Sequence, residues 1–307
     1  MIASVSVPVK TYSVPRVAVV AGNDLRYAAS HLLRRLAEAV PAGFRAPEII
    51  EASSNRPLGA TVEFLVETDD VRVDLSGVAG VRPVEHREAS GESLLEWTWS
   101  LDKPVWKGAY LRHGLVIAAD EGRAHVLGPA KNLRIPGVGH LQAVLPAIAA
   151  ALSWGVEPRA LREIVFGWTG PAHSVQWAGL HRGATLFDDG ACCTSEGLAR
   201  ALSFFDQKVT LVAGGEGFHA GFELLDNVCK GAGRIVLLPG TPAWIRQAWS
   251  SLSDVREATD LSHAAHSALE CTPAGGQILY CPGTFPKAGS PGVTRRGEMF
   301  AEEFLNA

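Results

Sequence analysis

The side chains of this chain that could carry chemistry are concentrated in its second half, where most of them follow runs of apolar sequence. These carboxylate, thiol, imidazole, hydroxyl and ammonium groups are His173, Asp188, Asp189, Cys192, Cys193, Glu216, His219, Cys281, Thr284 and Lys287. A thiol near an imidazole and a carboxylate can act as a nucleophile, and the same groups can bind a soft metal ion. Buried cysteines also pack simply as small apolar side chains, and this alternative stays open for Cys192 and Cys193.

We take Asp189, His173 and Cys193 as the candidate catalytic residues. The candidates for a ligand-binding cleft are His140, Asp188, Cys192, Glu216, His219, Thr284 and Lys287. The paired carboxylates have a second interpretation, because Asp188 and Asp189 could instead bind turn amides or cap the helix predicted from Ser195. No Cys-x-x-Cys or His-x-x-x-His pair supports a structural zinc site, so we predict no bound metal.

The elements that must position these residues follow an α/β rhythm. Apolar runs at 184–189, 208–214, 234–240 and 277–283 alternate with helical patterns at 195–205, 222–229, 242–250, 262–271 and 295–305. Continuously apolar strands that alternate with helices are typical of a mostly parallel, doubly wound sheet. Ligands of such sheets bind beyond the carboxyl ends of the strands, so we expect the candidate residues to meet at that edge.

The first half begins with another strand, turn and helix. Residues 16–21 are apolar and rich in Val, Gly22 provides a turn, and residues 28–40 show a helical pattern with Leu32, Leu33 and Leu36 facing inward. Short β-runs fill residues 48–128, and alternation at 94–101 and 109–118 predicts antiparallel strands with one solvated face. Trp97, Trp99 and Trp106 either cover this sheet or form an interface.

We predict an N-terminal extension at residues 1–15, a central domain at 16–170 and a C-terminal domain at 171–307. The extension is expected to add an edge strand or to pair with another chain. The 307 residues carry a net charge of −4, and 47% of them are hydrophobic, which excludes a disordered chain and a global basic field for nucleic acid or membrane. The N-terminus lacks the apolar core of a signal peptide, and no apolar run reaches the ~20 residues of a membrane span, so we expect a soluble, cytoplasmic protein.

Four segments in order resemble the central and C-terminal domains of the Mur ligases, the ATP-dependent amide ligases of peptidoglycan and folylpolyglutamate synthesis. Residues 134–158 are similar to the family's Gly-x-His-Asn helix, and residues 170–202 to the junction between its domains. Residues 211–225 resemble its Gly-Gly-x-x-Lys loop, and residues 278–305 its final strand and Arg-Gly-x-x-Phe helix. The resemblance implies an α/β fold with a degenerate P-loop-type central domain, followed by a Rossmann-like, doubly wound C-terminal domain.

The phosphate-binding loop is where the chain departs from this family. The family has Gly-Thr-Asn-Gly-Lys-Thr where this chain has residues 21–26, AGNDLR. Leu25 therefore replaces the Lys that contacts phosphate, Arg26 replaces the hydroxyl that binds Mg²⁺, and Asp24 adds a negative charge. Gly22, Asn23 and Arg26 remain as cofactor-binding candidates of a loop that we expect to be non-functional. We expect no cofactor, with ATP and Mg²⁺ required only if the chain is still a ligase.

Other motif positions are also changed. The family's two histidines are kept as His140 and His173, and its Asp is kept as Asp189. The partner residues differ: they are Leu141 for Asn, Ser174 for Arg, Ala191 for Lys and Phe218 for Lys. No segment of the reduced central region matches the family's Mg²⁺ ligand or modified Lys, and the family's N-terminal domain has no counterpart in the chain.

Two functions therefore compete. The first is a non-catalytic pseudo-ligase that acts as a binding or scaffold partner of another Mur-ligase-like chain or a biosynthetic enzyme. The alternative is a repurposed or noncanonical enzyme, an ATP-dependent carboxylate–amine ligase whose amino-acid or peptide-like substrate lies in the cleft between the domains. Neither interpretation predicts a nucleic-acid or membrane partner.

Overall fold

A computed structural model describes residues 16–20, 23–42, 48–52, 64–67, 82–86, 97–216, 231–250, 254–286, 289 and 291–307. The predicted N-terminal extension lies outside this part of the chain, as do Gly22, His219 and Lys287. The described residues form two β-sheets with helices packed against them. The predicted α/β fold class is confirmed, while the predicted domain boundaries stay predictions.

The first sheet has eight described strands in the order β2-β1-β3-β4-β5-β6-β7-β8. They are β1 (Arg16–Val20), β2 (Glu48–Ala52), β3 (Phe64–Glu67), β4 (Arg82–His86), β5 (Trp97–Ser100), β6 (Gly108–Arg112), β7 (Leu115–Asp120) and β8 (Arg123–Pro129). All neighbours from β2 to β6 run parallel, and β6, β7 and β8 form an antiparallel meander. The antiparallel prediction for 109–118 is therefore confirmed.

The corresponding prediction for 94–101 is wrong at β5, which runs parallel to both of its neighbours. Thr98, Trp99 and Ser100 are all buried, so this strand has no solvated face. Its hydroxyl groups are satisfied by nearby backbone instead of by water. Thr98 donates to the Lys107 carbonyl at 3.3 Å, and Ser100 accepts from the amides of Asp102 and Lys103. Alternation of polar and apolar residues in a sequence therefore does not distinguish a strand with a solvated face from a buried strand whose hydroxyls bond to backbone.

The three tryptophans of this region have different environments. Trp99 is 2% exposed and belongs to the core, whereas 47% of Trp106 is accessible to solvent. Trp97 is partly buried, and the Lys107 ammonium lies 5.8 Å from the centre of its ring. Lys107 also forms an ion pair with Glu121 at 3.1 Å. The core interpretation therefore holds for Trp99, while Trp106 is available as a contact surface.

Three helices cover the first sheet: α1 (Asn23–Ala37), α2 (Leu141–Ser153) and α3 (Pro158–Gly167). Leu32, Leu33 and Leu36 of α1 are fully buried, as their spacing predicts. Helix α2 is rich in Ala and buried along almost its whole length, because small side chains let it lie close to both α1 and the sheet. None of the helices in the described part of the chain is both long and apolar enough to cross a bilayer.

The second sheet has six described strands in the order β13-β12-β11-β14-β10-β9. They are β9 (Gln176–His181), β10 (Ala184–Asp188), β11 (Val209–Gly214), β12 (Ala232–Leu238), β13 (Asp254–Glu257) and β14 (Gln277–Tyr280). All pairs are parallel except β9 with β10. The described helices of this half are α4 (Ser195–Ser203), α5 (Ala243–Ser250), α6 (Leu261–Cys271) and α7 (Val293–Asn306). The carboxyl ends of β10, β14 and β11 are neighbours, as the predicted doubly wound sheet requires.

Residues 134–140 connect the two sheets. The Arg134 guanidinium stacks 4.5 Å from the ring centre of Trp177, and the Pro136 carbonyl accepts from the Gln277 amide at 3.0 Å. Val138 donates its backbone N–H to the Asp206 carboxylate at 2.7 Å. His140 packs edge-on against Phe204 with ring centres 4.6 Å apart. The contacts with Gln277, Asp206 and Phe204 lie at the amino ends of β14 and β11, opposite to the predicted site, whereas Trp177 pairs with Phe187 near the carboxyl end of β10.

His140 should make the stability of this contact depend on pH. The side chain is 6% exposed, and its Nδ1 has no hydrogen-bond partner within the described part of the chain. Burial lowers the pKa of His140 from 6.5 to about 4. As the pH falls from 6.5 towards 4, the unfolded chain gains a proton that the folded chain does not bind, so the free energy of unfolding decreases. Below about pH 4 this contribution becomes constant.

The His140→Phe variant should lose this part of the pH dependence while keeping the aromatic contact with Phe204. Urea denaturation between pH 4.5 and pH 7 gives the free energy of unfolding of both proteins, and the difference between their pH dependences measures the contribution of His140. His125→Asn, at an exposed position of β8, is the control and should follow the wild type. Parallel curves for wild type and His140→Phe would contradict the prediction.

Candidate functional site

The candidate site is built on the carboxyl end of β10. Asp188 is the last residue of this strand, and the backbone N–H of Asp189 donates to the Tyr280 carbonyl at the end of β14. One oxygen of Asp188 lies 2.7 Å from His173 Nδ1, and the other accepts from the Gly190 amide at 2.7 Å. Burial raises the pKa of Asp188, and the His173 contact opposes that shift. The imidazole of His173 is thus paired with Asp188, a predicted cleft residue, and the catalytic set of Asp189, His173 and Cys193 stays a prediction.

Helix α7 lies directly on this pair. A Cβ atom added to Gly297 would sit 2.5 Å from Asp188 Oδ2 and 2.8 Å from His173 Nδ1. Gly190 is just as confined, since its added Cβ would lie 3.0 Å from the Gly297 Cα. Only glycine allows such an approach of backbone to side chain. The imidazole and the carboxylate are consequently held between the sheet edge and the helix.

The turn before β9 carries backbone strain. His173 and Val175 have φ values of 55° and 48°, in the left-handed region that a β-branched residue such as Val rarely adopts. Two hydrogen bonds hold the turn in place. Val175 donates its N–H to Asp189 Oδ1 at 3.2 Å, and the His173 carbonyl accepts from the Ala191 amide. Strain of this kind persists only where the surroundings enforce it.

Asp189 lies in a buried cluster with two cysteines. The Cys281 thiol donates to Asp189 Oδ2 at 3.3 Å, and the cluster is completed by Cys192. The three ligand atoms lie within 4.8 Å of one another. Asp189 is only 1% exposed, and burial raises its pKa to about 7. Burial also raises the pKa of the Cys281 thiol well above its ordinary range.

Arg296 is a site residue that the sequence analysis did not select. Its guanidinium donates to the carbonyls of Gly190, Thr284 and Cys192 at 2.8, 2.6 and 2.9 Å. The same group lies 3.5 Å from Cys193 Sγ. The family-like Arg-Gly-x-x-Phe segment contains Arg296 and Gly297, and this was the available signal. Nothing in that segment shows whether the Arg bonds to carbonyls of its own chain or faces solvent.

The remaining predicted residues are distributed along and beyond this edge. Thr284 is buried, and its hydroxyl donates to the Gly214 carbonyl at the end of β11 at 3.3 Å. Glu216 lies close by, facing Gly240 of the next loop. His140 is not part of this group, because it packs at the opposite end of the second sheet. Asn23 and Arg26 fall in the first turns of α1.

A cavity of about 580 Å³ is present between the two sheets, away from the cluster. Its wall includes Leu111, Gly114, Lys131, Leu141, Asp206 and Gln277. Gln277 begins β14, so this cavity lies at the amino end of the strand while the cluster lies past its carboxyl end. Among the described residues of the predicted site, His173, Asp188, Asp189, Cys192 and Cys193 do not line its wall.

Comparison with curated proteins finds Mur ligases. The chain is 28% identical over 174 residues to the UDP-N-acetylmuramoylalanine–D-glutamate ligase of Aquifex aeolicus, covering 56% of this chain and 42% of that protein. It is 23% identical over 239 residues to the same ligase of Bacillus velezensis, covering 77% of this chain and 51% of that protein. The chain thus spans about half the length of the curated relatives it matches. No protein-family model matches it.

Solved structures of Mur-type ligases have a similar fold. The pseudomurein peptide ligase type C from Methanothermus fervidus matches with a TM-score of 0.54 at 10% identity, over 94% of this chain and 79% of that one. The UDP-N-acetylmuramate-alanine ligase MurC from Thermotoga maritima matches with a TM-score of 0.50 at 13% identity, over 95% and 76%. The chain is Mur-ligase-like in sequence and in fold. The predicted resemblance to the Mur ligases is confirmed, and the pairing of β10 with β14 places the segments at 170–202 and 278–305 side by side.

Arg296 should be the residue on which the stability of this Mur-ligase-like edge depends most. Replacing it in Arg296→Met leaves three carbonyl groups without their charged donor, so we expect unfolding to become easier by about 3 kcal/mol. The adjacent Arg295 pairs with Glu298 and Glu302 on the exposed side of α7, and Arg295→Met is the matched control that should change little. Chemical denaturation at pH 7 measures both variants. Equal stabilities for Arg296→Met and Arg295→Met would refute the assignment.

Proposed function

We propose that this Mur-ligase-like chain is a non-catalytic binding protein that does not use ATP and Mg²⁺. The observation that carries the proposal is the sequence of residues 21–26, AGNDLR, which follows β1 and runs into the first turn of α1. Phosphoryl chemistry needs a Lys at the phosphates and a hydroxyl on Mg²⁺, and Leu25 and Arg26 supply neither. Asp24 adds a negative charge where anionic phosphates would bind. The residues at this position do not fit the nucleotide.

The geometry of the second sheet supports the same proposal. The His173 imidazole is bonded to Asp188, and Asp189 to the Val175 amide and the Cys281 thiol. The Arg296 guanidinium donates its hydrogen bonds to carbonyls of its own chain. A ligase stabilises developing charge with groups aimed at its substrate. Groups that are buried and bonded within the chain hold loops together instead, and replacing them should change stability before it changes any activity.

A binding role needs an accessible surface, and Trp106 offers one. Its ring is 47% exposed and lies against Gly122, where an added Cβ would be 2.6 Å from the ring. The Trp106 carbonyl accepts from the Gly122 amide at 3.0 Å, which fixes the backbone beneath the ring. A rigid, exposed Trp is a typical anchor of protein interfaces, because little entropy is lost when it binds. We propose that the partner is another Mur-ligase-like chain or a biosynthetic enzyme.

Nucleotide binding tests the first part of this proposal. Isothermal titration of the full chain with ATP and Mg²⁺ should give no saturable heat, and the melting temperature should not change on adding either. An active UDP-N-acetylmuramoylalanine–D-glutamate ligase serves as the positive control. Saturable, Mg²⁺-dependent binding of ATP, or release of phosphate from ATP when an amino acid is added, would overturn the proposal in favour of the ligase alternative.

Partner binding tests the second part. The purified chain should co-elute with a full-length Mur-type ligase or biosynthetic enzyme encoded in the same genome, and Trp106→Ala should weaken that complex at least tenfold. Trp244→Ala is the matched control, because Trp244 is 45% exposed on helix α5 and is expected to be outside the interface. Affinities are measured by biolayer interferometry. A complex unaffected by Trp106→Ala, or the absence of any complex, would contradict the proposed interface.

A further inference from the structure

The buried cluster of Asp189, Cys192 and Cys281 has a composition that packing alone does not explain. A carboxyl group is costly to bury, because it loses its hydration. Here it is 1% exposed and faces two thiols that are 7% and 0% exposed. The Val175 amide accounts for Oδ1 of the carboxylate, whereas Oδ2 faces the weak donor of the Cys281 thiol. Cysteine sulfurs and carboxylate oxygens are both ligand types that bind zinc.

We infer that Asp189, Cys192 and Cys281 form a binding site for a divalent, thiophilic metal ion, with Zn²⁺ as the fitting example. A tetrahedral ion with metal–sulfur bonds of about 2.3 Å holds two sulfur ligands about 3.8 Å apart. The ligand atoms here already lie within 4.8 Å of one another, and the Cys281 Sγ to Asp189 Oδ2 distance is 3.3 Å. Contraction by about 1 Å or less is enough to bring all three onto one ion.

The ligands are fixed by elements that meet at the sheet edge. Asp189 follows β10 and is held by the Val175 amide at its other oxygen. Cys192 lies in the turn before α4, and its backbone N–H donates to the Asp189 carbonyl at 2.9 Å. Cys281 follows β14, the neighbouring strand. The bond from the Val175 amide fixes the orientation of the carboxylate, as outer hydrogen bonds to metal ligands do.

Charge balance favours the site as well. Binding converts the thiols to thiolates and releases their protons to solvent, so one carboxylate and two thiolates surround an ion of charge +2. The remaining negative charge lies beside Arg296, which contacts the Cys192 carbonyl at 2.9 Å. Three protein ligands leave a fourth position for water or another exchangeable ligand.

Metal titration of the reduced, metal-free full chain tests this site. Cd²⁺, used as a spectroscopic substitute for Zn²⁺, should bind with one equivalent at the site and produce the ultraviolet charge-transfer band of two Cd–thiolate bonds. Cys192→Ser and Cys281→Ser should each weaken binding by a factor of 100 or more, and Asp189→Asn by at least 10. Cys193→Ser is the matched control, because its sulfur is adjacent in sequence but outside the cluster, and it should bind like the wild type.

A second measurement on the wild type keeps the test independent of variants that fail to fold. Zn²⁺ should protect Cys192 and Cys281 from alkylation, as read by mass spectrometry after denaturant pulses, while half-buried Cys193 stays reactive. The absence of Cd²⁺ and Zn²⁺ binding would overturn the inference. Binding that persists in a folded Cys192→Ser/Cys281→Ser variant, or protection confined to other cysteines, would overturn it equally.

Discussion

Three hydrogen bonds from one guanidinium hold the carboxyl edge of the second sheet together. Arg296 reaches the loops that follow β10 and β14 at the same time, bonding to Gly190 and Cys192 on one side and to Thr284 on the other. The guanidinium can do so only because Gly297 lets helix α7 approach the His173–Asp188 pair. The Arg296 side chain is half-buried, and each carbonyl that it bonds would lose a charged donor if the guanidinium were removed. The turn at His173, the Asp189 cluster and helix α7 therefore depend on one another.

These internal contacts distinguish a catalytic use of the fold from a non-catalytic one. In a ligase, the groups beyond the carboxyl ends of the strands must meet a substrate and stabilise the charge that develops there. Here Asp188 and Asp189 are bonded within the chain beside helix α7, and Arg296 of that helix bonds to carbonyls of the loops next to them. The Mur-ligase-like scaffold is retained, and the cost of burying its polar groups is offset by the hydrogen bonds between them. Such an arrangement suits a rigid protein that presents a surface, and it suits a small buried ion better than a nucleotide.

The strands and helices could be predicted from the sequence because most of their burial patterns depend on residues close together in the chain. Continuously apolar runs such as that of β11 are read directly as buried parallel strands, and the inward face of α1 follows from helical spacing. At β5 the same reasoning failed, because hydroxyls that bond to nearby backbone have the pattern of a solvated face. The burial of β11 and of the inner face of α1 is determined by neighbouring residues in the sequence. The burial of the β5 hydroxyls depends instead on which backbone groups the fold brings next to them.

The site was harder to predict because its contacts join distant residues. Asp188 and His173 are near in sequence and both were selected, one for the cleft and one for catalysis, but Asp189 and Cys281 are 92 positions apart, so no ligand spacing marks them as partners. Arg296 lies in a family-like segment, but its contacts depend on loops more than 10 positions away, so the segment alone did not select it. His140 was selected by resemblance, yet it packs against Phe204 at the other end of the sheet.

A crystal structure of the full chain grown with ATP, Mg²⁺ and D-glutamate would decide between the two uses of this fold. We expect no nucleotide beside the loop that follows β1, and we expect the His173–Asp188 and Arg296 contacts to be unchanged. A bound nucleotide, with Asp188 or Arg296 turned away from these partners towards it, would contradict a non-catalytic role.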